Sequence, residues 1–322
     1  MKPTIKISRA NFPNTTMLYW ATYFQHILGY RYNVVIDADT PDIVFYSNMF
    51  IDTASVDTFT GSLGRQHEDY GPKTKRIFCS GEDVSGHESI INYGPNYYAI
   101  GPGPLTHSRY LRLQLHNTTA AWGLYDESKL VETPFDWLLQ KRNGREVVSK
   151  KMHFCGVVQN SAVPTRAELF EKLTAYKFVR ASGGWITNVP PEEATLMYPR
   201  IDGEGYRSKV NFLGSCKFSI QVQSSNTSYF THEKMIQAYA ANTIPIFFGN
   251  DKILEDGFNP KSFINCHEYN NIDEVIERVK MVDQNDELFA SIIEEPIFLN
   301  NQLPYYFDPE YLNSFTERIL ND

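Results

Sequence analysis

Within "YFTHEKMIQAYAANTIPIFFGN" (229–250), Glu233 and Lys234 form the sharpest chemical signal in the chain. Met235, Ile236, Tyr239 and Ala240 share one helical face, which predicts a helix over 233–241 with Thr231 as its N-cap. Asn242 suits the helix end, and "IPIFF" reads as a buried strand. Lys234 then falls in the first helical turn, where the peptide dipoles already concentrate positive charge. A bound phosphate removes that conflict, because free N–H groups and an ammonium together make an anion site. Glu233 is placed to accept hydrogen bonds from ribose hydroxyls. The competing reading is a solvated Glu–Lys pair on a surface helix. "HEKMI" lacks the second histidine of a zinc-binding HExxH pattern, so metal chemistry is not expected there.

A second candidate is Glu82 in "KRIFCSGEDVS", just beyond an apolar strand and a glycine. A carboxylate of ordinary pKa is ionised at neutral pH and able to take a proton from a reacting hydroxyl. Taken alone, Glu82 reads more simply as a solvated loop carboxylate. In "ASGGW", Gly183 and Gly184 lack the Cβ that would hold a ligand away from the backbone, although an ordinary loop would also use them.

The elements that must position these residues are legible as alternation. "TIKIS", "NVVIDA", "DIVFYS", "KRIFCSGE", "YYAIG" and "RYLRLQL" are short β-rich runs, and "TTMLYWATYFQHIL" is an amphipathic helix. After a charged, helix-prone stretch from Pro134 to Lys151, a second set begins with "KMHFCGVV" and "PTRAELFEKLTAY". It continues through "FVRASGG", a helix at "VNFLGSC", the strand "KFSIQVQSS" and helices within "NIDEVIERVKMVDQNDELFASIIEE". This pattern predicts an α/β chain of two domains with parallel sheets, residues 1–148 and 149–300, followed by a C-terminal helix in 301–322 that packs back across them. Ligands of such folds sit outside the carboxyl ends of the strands, here in a cleft between the domains.

With 322 residues, 42% hydrophobic and 14% aromatic, the chain is able to fill two cores. Its net charge of −8 argues against a nucleic-acid surface. Cys79, Cys155, Cys216 and Cys266 are far apart and form no CxxC pair, as expected of buried thiols in a reducing compartment. No run approaches a membrane span and no signal peptide is visible, so a cytoplasmic location is expected. No GxGxxG follows any strand, which argues against a dehydrogenase.

The segment "KFSIQVQSSNTSYFTHEKMIQAYAANTIPIFFGN" with "GFNPKSFINCHEYNNIDEVIERV" resembles the signature region of the α-1,3/4-fucosyltransferases, glycosyltransferase family 10. "RAELFEKLTAYKFVRASGG", "SKVNFLGSCKF" and "KRIFCSGEDVS" resemble further elements of that family, in order, so the likeness runs from about Lys75 to Pro296. It implies a GT-B architecture: two Rossmann-like domains facing each other, the first for acceptor and the second for nucleotide sugar. It also implies inverting transfer of fucose from GDP-fucose to a glycan hydroxyl without a divalent metal or other cofactor. By the same resemblance Glu82 is the base, Lys234 contacts the diphosphate, Glu233 contacts the ribose, and Gly183, Gly184, Asn188 and Lys209 lie near the donor.

Several donor-side positions depart from the family. Its F-E-N-S turn is Val222, Gln223, Ser224 and Ser225 here. Its Tyr and Thr before the Glu–Lys pair are Phe230 and His232, and Thr187 stands where some members carry an Arg. Gln223, Ser224, Phe230 and His232 are therefore further donor-site candidates, with His232 either a phosphate contact or a surface residue of the cap region. These exchanges leave two alternatives open: a different donor, such as UDP-GlcNAc, or a non-catalytic nucleotide-sugar-binding protein.

Overall fold

Two parallel sheets organise the chain, each in its own unit. The computed structural model describes residues 1–10, 23–46, 67–79, 87–114, 135–195, 204–224 and 226–322. One unit comprises Met1–Trp122 together with Tyr305–Asp322, the other Gly123–Pro304. Both are α/β.

The first sheet contains β1 (Thr4–Ala10), β2 (Asn33–Ile36), β3 (Ile43–Tyr46), β4 (Lys75–Cys79), β5 (Tyr97–Gly101) and β6 (Tyr110–Arg112). Their order is β2-β1-β3-β4-β5-β6, and the pairings are parallel. The runs "IVFY" and "RIFC" are buried at every position, as strands covered on both faces require. The C-terminal helix Pro309–Asn321 belongs to this unit. Asp308 caps its first turn, and Asn313 donates from Nδ2 to the Ile27 carbonyl at 2.8 Å. Arg31 pairs with Glu310 and Glu317 on the same helix.

The second sheet contains β7 (His153–Val158), β8 (Val179–Ser182), β9 (Cys216–Val222), β10 (Ile244–Phe248) and β11 (Ile264–Asn265), in the order β11-β10-β9-β7-β8. Its core includes Cys155, Val157, Phe218, Ile220, Ile244 and Ile246, against which helices Pro164–Tyr176, Ile272–Asp283 and Asp286–Glu294 lay Leu169, Val279 and Phe289. The helix Gly144–Lys150, expected at the join between domains, lies in this unit, where the Gly144 N–H donates to Glu294 Oε1 at 3.1 Å. All four cysteines are buried and unbridged. Among the described residues no helix is long and apolar enough to cross a membrane.

The strand order locates the ligand side of this unit. The chain runs from β7 outward to β8, then returns past β7 to β9, so the order reverses beside β7. A parallel sheet opens a crevice at the carboxyl ends of its strands where such a reversal occurs.

Candidate functional site

The helix that follows β9 starts at Lys234 and runs to Ala240, with Glu233 at its N-cap position. Thr231 is therefore not the cap: it lies two residues earlier, and its hydroxyl donates to Asp256 Oδ2 at 3.2 Å. Lys234 stands in the first turn, with Nζ 3.6 Å from Glu233 Oε1 and only 14% of its side chain exposed. His232 is buried, packs tilted against the Phe230 ring at 4.5 Å between centroids, and meets Glu233 Oε2 through Nδ1 at 3.1 Å. Burial works against ionisation of Glu233, but Lys234, His232 and Lys209 together hold its carboxyl well below the usual range. Glu233 is thus a fixed acceptor beside a cation that keeps hydrogen-bonding capacity for an incoming anion.

Three further candidates stand at β8. Gly183 has φ +137°, a conformation almost confined to glycine, and a Cβ there would meet the Gln159 carbonyl oxygen at 2.2 Å. Gly184 donates its N–H to Asn160 Oδ1 at 3.3 Å. Asn188 serves the sheet itself: Oδ1 accepts from the Ala181 N–H at 2.7 Å and Nδ2 donates to the Val179 carbonyl at 2.9 Å. Because β8 is an edge strand, its backbone groups need such a partner. Thr187 closes the glycine turn through its hydroxyl, accepting from the Gly183 N–H at 3.2 Å.

Gln223 also faces inward. Its Nε2 donates to the Phe230 carbonyl at 3.0 Å and its Oε1 accepts from the Asn250 N–H at 3.0 Å. Phe230 is 1% exposed and belongs to the packing, while Ser224 is exposed just beyond β9. Lys209 sits on the helix Glu204–Gly214, close enough to influence the Glu233 carboxyl. Glu82 and Ser225 lie outside the described residues.

Sequence reasoning missed Arg166. Its helix, Pro164–Tyr176, opens at the carboxyl end of β7, and Arg166 is fully buried in the first turn. Nη2 donates to the Val222 carbonyl at 2.6 Å and Nη1 to the Ser161 carbonyl, so the guanidinium bridges the ends of β9 and β7 at the order reversal. Burial pushes its pKa down to about 10, which leaves it charged at neutral pH. Nε finds no partner among the described residues, nor does Nε2 of the buried Gln159 at the end of β7. Two buried donors at one strand end favour a ligand rich in acceptors. The signal was available: "VPTRAELF" places a cation just after a helix-opening proline, the same local conflict that singles out Lys234.

Residues 147–294 match the model of the glycosyltransferase family 10 (fucosyltransferase) C-terminal domain. The matched segment carries Arg166, Gly183, Lys209, Glu233 and Lys234. Over that segment the chain is similar to glycosyltransferase family 10. It is 28% identical over 255 residues to the alpha-(1,3)-fucosyltransferase FucT of Helicobacter pylori, covering 72% of this chain and 49% of that protein. A putative fucosyltransferase of Acanthamoeba polyphaga mimivirus is 28% identical over 159 residues, 49% of this chain and 26% of that protein. The chain therefore spans about half or less of these curated relatives. A crystal structure of an alpha1,3-fucosyltransferase with GDP-fucose superposes with a TM-score of 0.69 at 22% identity, over 100% of this chain and 92% of that one. At that identity the likeness shows the GT-B fold alone.

Proposed function

We propose that this protein is an inverting, metal-independent glycosyltransferase that moves a sugar from a nucleoside diphosphate donor to a hydroxyl of a glycan acceptor, with GDP-fucose as the donor. One observation carries the reading: Lys234 stands in the first turn of the helix after β9, beside a Glu233 held ionised, and a second cation, Arg166, is buried in the first turn of the helix after β7. A diphosphate leaving group needs such stabilisation when no divalent ion supplies it. The acceptor oxygen forms its bond to the anomeric carbon as the bond from that carbon to the phosphate oxygen breaks. Glu82 takes the acceptor's proton, and the negative charge gathering on the diphosphate is met by the cations and helix N–H groups. Attack from the face opposite the leaving group inverts the configuration. Four buried, unbridged cysteines agree with a cytoplasmic location.

A second reading, the same chemistry with another nucleotide sugar such as UDP-GlcNAc, is favoured by the inward commitment of the Gln223 amide where the family has an acidic residue. The test is a screen of nucleotide sugars with product analysis, run on wild type and Glu82→Gln. The proposal expects transfer from GDP-fucose by wild type, and loss of about 100-fold or more in the variant with nucleotide affinity retained. Transfer by Glu82→Gln at the wild-type rate removes Glu82 from the mechanism. Nucleotide binding without turnover of any donor identifies a binding protein instead.

A further inference from the structure

Glu233 and Lys234 are useful only if the short segment before them is fixed, and that segment contains an unfavourable conformation. Tyr229 has φ 67°, the left-handed region that a residue with a Cβ adopts only when its surroundings hold it. Asn250, fully buried beyond the end of β10, supplies the hold. Its Oδ1 accepts the Tyr229 N–H at 2.6 Å and the Lys252 N–H at 2.9 Å. Its Nδ2 donates to Thr231 Oγ1 at 2.9 Å and to Asp256 Oδ2 at 2.8 Å.

Asp256 is 1% exposed, and the Thr231 hydroxyl donates to the same Oδ2 at 3.2 Å. The chain between β9 and the Lys234–Ala240 helix is therefore gripped at its turn by Asn250 and at Thr231 by both residues. From the other side Gln223 holds the Phe230 carbonyl while accepting from the Asn250 N–H, which joins both grips into one network. Gly249 permits this, since a Cβ there would lie 2.1 Å from Gln223 Oε1. In a buried setting such hydrogen bonds are strong and directional, and those to a carboxylate are the strongest.

We propose that Asn250 and Asp256, acting through Thr231 and Tyr229, are positioning residues that preset the Glu233–Lys234 pair for the donor diphosphate and ribose. The inference rests on the proposed donor reading. It adds residues that touch no substrate and explains why Gln223 faces inward. The geometry also accounts for the 27-residue separation between Gln223 and Asn250: the ends of neighbouring strands β9 and β10 form the two jaws.

The test uses Asp256→Ala, which removes the acceptor shared by the Asn250 amide and the Thr231 hydroxyl, and the milder Thr231→Val in case the first fails to fold. Amide hydrogen exchange on the ligand-free protein is measured first. Selective acceleration of about 10-fold or more at residues 229–233, with β7 and β9 unchanged, supports the clamp. Unchanged exchange in that segment overturns it. Calorimetric titration with GDP then separates positioning from general weakening. Each variant is expected to bind about 10-fold more weakly, yet to add less than about 2-fold on a Lys234→Ala background. Full additivity overturns the positioning role. Failure of the wild type to bind GDP or UDP refutes the donor reading and the donor half of this inference. The exchange result still decides the clamp.

Discussion

Replacing Gly183 by alanine puts the glycine turn after β8 to a quantitative test. At φ +137° a side-chain-bearing residue is strained by about 1–3 kcal/mol. The added Cβ would stand 2.2 Å from the Gln159 carbonyl oxygen, 2.8 Å from its carbon and 2.9 Å from its nitrogen. All three are backbone atoms, so relief requires the ends of β7 and β8 to separate. That motion breaks the Gln159 N–H bond to the Ser182 carbonyl at 3.2 Å or the Trp185 N–H bond to the Gln159 carbonyl at 3.2 Å. Each such bond contributes about 1 kcal/mol net. The combined loss is about 2–4 kcal/mol, which corresponds to a fall in Tm of roughly 4–16 °C for a unit of this size. Calorimetry and urea unfolding of wild type and variant measure it. A fall of less than about 3 °C would show that the turn relaxes freely, and would refute the rigid cradle that the φ value and the contacts describe.

Two other perturbations have defined outcomes. Arg166→Met withdraws donors from the Val222 and Ser161 carbonyls but also removes a buried charge, so stability should change by no more than about 2 kcal/mol. Its nucleotide-induced Tm rise should shrink, as a roughly 10-fold weaker Kd requires; an undiminished rise in thermal scans with GDP would make Arg166 purely structural. Acidification should destabilise the fold. Burial lowers the pKa of His26, His67 and His153 below the ordinary 6.5, so below that value the unfolded chain binds protons that the fold does not. The lowered carboxyls of Glu233 and Asp37 act in the same sense at lower pH, contributing stability that is lost as pH falls through their folded values. Urea midpoints should therefore decrease from pH 7 to 5, and a constant or rising midpoint would contradict the assignment.

Particular residues show how far the sequence could be read. "IVFY" and "IPIFF" announced parallel strands because short, continuous apolar runs suit sheets covered on both faces. The Lys234 helix was legible from its periodicity, and Asn242 does leave it at φ 50°. What stayed hidden depends on partners far along the chain. Thr231 looks like a cap until Asp256, 25 residues on, takes its hydroxyl. Asn188 looks free for a ligand until the strand order makes β8 an edge that its amide completes. Arg166 carried a local signal as clear as that of Lys234, but its significance needed β9 to lie beside β7. The C-terminal helix was visible as an amphipathic segment, whereas its place in the first unit follows from Asn313 reaching Ile27 across 286 residues.

Calorimetric titration of the wild-type protein, Lys234→Ala and Arg166→Met with GDP and UDP examines the donor site most directly. The account predicts binding of a nucleoside diphosphate by wild type, GDP over UDP, with each substitution weakening it by about 10-fold or more while nucleoside affinity changes little. No binding of either nucleotide, or equal binding by all three proteins, would contradict it.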